Sequence, residues 1–73
     1  MVKVTYDKET NILTFRLSSK KSVDSDVQDN VVIDRDKDDN VVNIEIMDIS
    51  MDEFKKVQPH MRKVASPVTV RAR

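Results

Sequence analysis

Hydrophobic positions alternate along the first two-thirds of the chain and then recur in threes and fours. Val2, Val4 and Tyr6 are separated by Lys3 and Thr5, and Leu13, Phe15 and Leu17 by Thr14 and Arg16. A period of two marks half-buried strands, and the polar stretch from Asp7 to Asn11 marks the turn between them, so this part predicts a hairpin with one apolar face. Ser18 to Ser22 reads as a loop. Val23 to Gln28 alternates weakly, with Asp24, Ser25 and Asp26 lying between Val23 and Val27, which predicts a short edge strand or a loop. Val31-Val32-Ile33 and Val41-Val42-Asn43-Ile44-Glu45-Ile46-Met47 flank the Asp/Asn-rich stretch 34–40. Two β-branched segments around such a turn predict a second hairpin. In its last strand Val42, Ile44 and Ile46 share one face, and Val41, Asn43, Glu45 and Met47 the other.

After Ile49 the period lengthens. Ser50 followed three residues later by Glu53 is the spacing of a capping box and opens a helix. Met51, Phe54, Val57 and Met61 then fall on one side of it. Pro59 has no N–H to give the carbonyl of Lys55, so the helix is expected to end near Gln58, with a further turn through His60 to Val64. Ser66-Pro67 breaks what precedes it, and Val68-Thr69-Val70 alternates as a terminal strand or an extended tail. The chain therefore reads as one small domain over residues 1–73: a β-meander over 1–49, a helix over 50–64, and a tail or added strand over 65–73. The expected fold class is α+β, a four- or five-stranded mostly antiparallel meander with two hairpins, one short helix and an extended basic C-terminal tail.

Composition limits how that fold can be held together. With 73 residues, 38% hydrophobic and only Tyr6, Phe15 and Phe54 as aromatics, the core is thin. Chains of this size seldom gain more than about 3–5 kcal/mol from one core and lean on disulfides, metals or oligomerisation. There is no Cys and one His, which removes disulfides, thiolate metal sites and histidine zinc sites. Oligomerisation is left, and a homodimer is expected. The first ten residues carry two Lys, an Asp and a Glu without an apolar run, so a soluble cytoplasmic protein without signal peptide or membrane span is expected.

Thirteen acids and 13 bases give a net charge of zero, but they are not mixed. Residues 1–53 hold all 13 acids and seven bases, net −6, whereas residues 54–73 hold six bases and no acid, net +6. Such polarity reads either as a basic arm for nucleic acid or as a tail folded back on an acidic body, its own or a neighbour's. The second reading leads, with the stretch 62–73 expected on the acidic hairpin.

The residues themselves resemble a known family. Val4-Thr5-Tyr6-Asp7, Leu13-Thr14-Phe15-Arg16-Leu17-Ser18, Val31-Val32-Ile33-Asp34 and, most clearly, Asn40-Val41-Val42-Asn43-Ile44-Glu45-Ile46-Met47-Asp48 are similar to small prokaryotic proteins grouped as domain-of-unknown-function family 2283. The resemblance covers roughly residues 1–50 and implies a small β-rich domain with no established activity. Where that family usually has glycine, this chain has Asn30, Asp39 and Asn43. Asn and Asp are the residues other than glycine that best tolerate positive φ, so the turns are expected to survive.

Several motifs invite chemistry. Asp34, Asp36, Asp38, Asn40 and Glu45 repeat the acidic spacing of an EF-hand calcium loop, but Asp39 stands where that loop needs glycine, and strands flank it where helices are required. The expected state is a solvated hairpin with its acids outward. Asp24/Asp26 and Asp34/Asp36 could place paired carboxylates on a strand face. Without a nucleophile and base set, a Gly-rich loop or depth for a pocket, no catalytic, cofactor-binding or metal residues are assigned. His60 reads as a surface or C-cap residue, and Arg16 and Glu45 as a cross-strand pair. Met47, Met51 and Met61 with Phe54 read as helix-on-sheet core, or as an adaptable contact surface. Lys55, Lys56, Arg62, Lys63, Arg71 and Arg73 have no aromatic stacking platform among them. The expected function is a non-catalytic interaction module, a homodimer with an unidentified protein partner. The rival is a nucleic-acid-binding accessory protein using the basic C-terminal segment.

Overall fold

The computed structural model describes residues 2–61 and 68–71. Five strands, β1 (Lys3–Asp7), β2 (Ile12–Arg16), β3 (Asp24–Gln28), β4 (Val31–Arg35) and β5 (Val41–Ile46), precede the helix α1 (Met51–Met61), and a sixth, β6 (Val68–Arg71), follows it. They form one sheet in the order β3-β4-β5-β2-β1-β6, antiparallel except for β6, which runs parallel to β1. The fold is thus α+β as expected, with six strands instead of four or five. The added ones have clear origins. Asp24 to Gln28 has weak alternation because its outer side meets only solvent, and all five of its residues are exposed. Val68 to Arg71 becomes a strand because β1 offers it a free edge.

A chain without glycine must still turn. Among the described residues four have positive φ, Asn11 (59°), Asp29 (54°), Asp39 (67°) and Asp48 (61°), and all are Asn or Asp. Each sits in the connection after a strand. Of the three positions where glycine is usual in the resembling family, only Asp39 takes such a conformation; Asn30 instead brackets Met47, accepting from its N–H and donating to its carbonyl, both at 2.8 Å. Asn43 lies beside a register shift in which Asp34 faces Asn43 but Arg35 faces Val41, leaving Val42 as the extra residue of a bulge. The Val42 carbonyl accepts from both Leu17 and Ser18 (2.9 and 3.2 Å), which steers the chain out of β2.

Register fixes what each face carries. Val68, Val4, Phe15, Ile44, Ile33 and Asp26 form one row across the sheet, and Val70, Tyr6, Leu13, Ile46, Val31 and Gln28 the next, both on the helix side. On the opposite face Thr69, Thr5, Thr14, Glu45, Val32 and Val27 make a largely polar row. The core cluster is Val4, Tyr6, Leu13, Phe54 and Met61, with Val2, Phe15, Ile46, Ile49, Met51 and Val68 packed against it. It lies where α1 crosses the β1–β2 half of the sheet.

The capping box forms as the spacing predicts. The Ser50 hydroxyl accepts from the Glu53 N–H (3.2 Å), and the Glu53 carboxylate accepts from the Ser50 N–H (3.2 Å) and hydroxyl (3.0 Å). The helix does not stop at Gln58. It continues through Pro59 to Met61, because only the last turn lies beyond the missing hydrogen bond and Met61 gains burial in the core. Val57, expected on the core side, is instead 41% exposed. The expected turn from Arg62 to Val64 lies outside the described residues. Among the described residues no helix is long and apolar enough to cross a membrane.

Candidate interaction surface

An α-helix is about 10 Å wide and strands repeat every ~4.8 Å, so one helix shields roughly two strands. This sheet has six. Beyond the ground covered by α1, the same face continues over β5 and β4 with Ile44, Ile33 and Val31, all half-buried and outside the core cluster. Phe15 and Ile46, also half-buried, join this strip to the core. The sequence pattern made these positions look like ordinary interior, because alternation along each strand does not show how many strands one helix has to cover.

The strip is bordered by charge at its β3 side. Arg35 forms ion pairs with Asp26 and, at 3.6 Å, with Asp39. Val27, on the opposite face of the same edge strand, is 68% exposed. Burial places Phe54, Met61 and Met51 in the core as expected, whereas Met47 lies half-buried outside that cluster.

The acidic turn is arranged differently from a row of outward carboxylates. Asp34 accepts from the Ser25 hydroxyl (2.5 Å) and the Asn43 amide (3.2 Å). Asp38 and Asp39 are exposed, but Asp36 is 5% exposed and organises the turn. Its Oδ1 accepts from the N–H groups of Asp38 (2.9 Å) and Asn40 (3.0 Å), while its Oδ2 is buried without a hydrogen-bond partner. The N–H of Asn40 above all, then that of Asp38, the charge of Lys20 and the side chain of Asn40, hold the Asp36 carboxyl below its ordinary value against the opposing effect of burial. The expectation that these acids all point outward therefore fails at Asp36, because two turn N–H groups need an acceptor. Among the described residues no three His, Cys, Asp or Glu side chains converge on a metal-sized point.

The other paired carboxylates are also separately engaged: Asp26 with Arg35, and Asp24 with the N–H of Ser25 (3.0 Å). Arg16 and Glu45 do not pair. Register sets Arg16 opposite Asn43 and Glu45 opposite Thr14, and the Arg16 guanidinium donates to the Lys20 carbonyl (3.2 Å). His60 is exposed in the last helical turn. Val68 to Arg71 does add a strand, but it adds it to β1, at the opposite edge of the sheet from the acidic β3–β4 hairpin. The expected contact of this stretch with its own acidic hairpin is thereby excluded for β6. The rest of the basic segment lies outside the described residues.

No curated protein and no solved structure matches the chain. A family model does match, over residues 3–50, a span running from β1 to the residue that caps α1. On that match the chain belongs to the family described as protein of unknown function DUF2283.

Proposed function

We propose that this protein is a non-catalytic interaction module that works as a homodimer, with the strip of Val31, Ile33 and Ile44 as its contact surface. The observation that carries this reading is the half-covered sheet: three β-branched side chains stay partly wet on the face that elsewhere holds the core. Covering them with the same strip of a second copy removes that surface from water, and a two-fold axis makes an apolar strip complementary to itself. A net charge of zero leaves little long-range repulsion between copies. Light scattering over the micromolar range is expected to give twice the 8.4 kDa chain mass. Ile33→Asp and Ile44→Asp are expected to shift it to the monomer. A monomer at every concentration, with a melting temperature independent of concentration, overturns the reading.

A second reading, nucleic-acid binding by the basic segment, gains support from the place of β6. It sits at the far edge from the acidic hairpin, so those acids do not screen it at short range. Binding of a labelled oligonucleotide that weakens steeply with salt, and is lost on truncation after Val64, would favour it.

A further inference from the structure

The charge polarity of the chain becomes spatial in the sheet. Its outermost strands are β3 and β6, at opposite ends of the order, and among the described residues neither has a neighbour on its outer side. The stretch 24–39, which forms β3, β4 and the turn after it, holds seven acids and two bases. The stretch 62–73, within which β6 lies, holds four bases and no acid. One edge of the sheet is therefore made of acidic chain and the other of basic chain.

Hydrophobic exposure picks out the same two strands. Val27 in β3 (68%), Val23 beside it (59%) and Val70 in β6 (44%) are three of the four exposed large hydrophobic side chains among the described residues. Neither strand contains Pro or Lys, and both pair with their inner neighbours in unbroken register, so the usual guards of a free edge are missing. The charges they do carry, Asp24 and Asp26 on β3 and Arg71 on β6, act against a second copy of the same strand and in favour of the other. At β3 the Ser25 N–H donates to the Asp24 carboxylate (3.0 Å), and the Ser22 hydroxyl to the Asp24 carbonyl (3.4 Å). Both contacts are local and exposed, and an incoming strand competes with them on the same terms as water.

We infer that these edges are complementary docking sites for copies of this chain, β6 of one copy joining β3 of the next. Pairing β3 with β3 would set two acidic hairpins side by side, and β6 with β6 two basic stretches, so like-with-like pairing is opposed. β3, β5 and β1 point the same way through successive antiparallel pairings, and β6 is parallel to β1. A copy added in unchanged orientation thus pairs its β3 with β6 in parallel and keeps α1 on the same side of the sheet. Such a contact is heterologous and leaves one free edge at each end, so it repeats. Its attraction between unlike charges is screened beyond about 8 Å at physiological ionic strength, so the assembly is weak there and grows at low salt. It uses the edges of the sheet and not the apolar strip, and stands independently of the homodimer.

Sedimentation equilibrium of the full chain tests this. The mean mass is expected to rise with concentration without a plateau at about 20 mM salt and to return to a fixed value, the monomer's or the homodimer's, at about 300 mM. Val27→Lys on the β3 edge and Val70→Glu on the β6 edge replace exposed side chains, and circular dichroism checks that both variants fold. Each by itself is expected to hold the fixed mass at low salt, because one of its two edges now repels. An equimolar mixture is expected to grow beyond that mass, since the intact β6 of the first meets the intact β3 of the second. Where either variant fails to fold, Ser25→Lys or Thr69→Glu blocks the same edge. A mass indifferent to salt, growth of either variant by itself to the extent of the parent, or a mixture no heavier than its components overturns the inference.

Discussion

The phenol ring of Tyr6 lies flat on the phenyl ring of Phe54, with centroids 4.4 Å apart and planes 8° from parallel. Both side chains are fully buried, and the Tyr6 hydroxyl reaches past the ring to donate to the carbonyl of Ile49 at 2.5 Å. One residue of β1 therefore holds both the helix and the segment leading into it. Ile49 is held a second time, by its own N–H to the Asn11 carbonyl (2.9 Å). The first turn of the chain is thus tied to the entry of the helix.

Phe54→Ala should be the most damaging substitution in the helix. Truncating a buried aromatic costs about 3–5 kcal/mol, which is as much as a core of this size is expected to provide. The variant is expected to be largely unfolded at room temperature by circular dichroism. Met61→Leu, which keeps volume and apolarity, is expected to retain the native spectrum.

Loss of the cap should be smaller and graded. Ser50→Ala removes the hydroxyl that accepts from Glu53 N–H, at a cost of about 1 kcal/mol. Ser50→Asp supplies another acceptor at the same place and is expected to restore most of it. Urea unfolding checks both, with a shifted midpoint and an unchanged slope.

Pro59→Ala is expected to stabilise the protein. The helix already runs through this position, so alanine restores an N–H for the Lys55 carbonyl without asking the backbone to change. A gain of about 1 kcal/mol is expected, below the full mid-helix penalty of proline because the site is in the last turn. A higher urea midpoint than the parent checks it, and a lower one would show that the ring itself contributes packing.

Tyr6 and Asp36 make stability depend on pH at opposite ends of the scale. Asp36 has its folded pKa lowered, so the stability it contributes is fully present above its ordinary value of 3.8 and is lost as pH falls through the folded value. Tyr6 has its pKa raised above 10.0, chiefly by burial and then by the charges of Glu53 and Asp7. Its contribution is fully present below 10.0 and is lost as pH rises through the folded value. Melting temperatures should therefore fall at both ends. Tyr6→Phe should flatten the alkaline limb, and Asp36→Asn the acid limb.

The parts of this fold visible in the sequence were those decided locally. Alternation around Tyr6 and Phe15, the β-branched run from Val41 to Ile46 and the Ser50–Glu53 spacing each need only near neighbours to act. Three features depend on distant partners and did not show. Pro59 stays helical because Met61 finds a core on another element. Val68 to Arg71 pairs with β1 and not with the acidic hairpin, a choice between edges that alternation does not encode. Asp36 looked like its acidic neighbours, yet only its carboxylate folds inward over the turn. For the candidate surface, the identity of Ile33 and Ile44 as apolar strand residues was legible, but their partial exposure was not. That follows from how far an 11-residue helix extends over six strands.

The parallel pairing of β6 with β1 joins nearly the earliest and latest described segments of the chain. During synthesis β1 and β2 can close on each other almost at once, and α1 can dock when Met61 has emerged, but the outer edge of β1 stays bare until residues 68–71 leave the ribosome. For that interval the nascent chain carries an unpaired strand edge beside the fully buried Val4 and Tyr6. Such an edge is open to neighbouring nascent chains. The time between the emergence of β1 and that of β6 therefore bears on the yield of folded chain, although it has no bearing on its equilibrium stability.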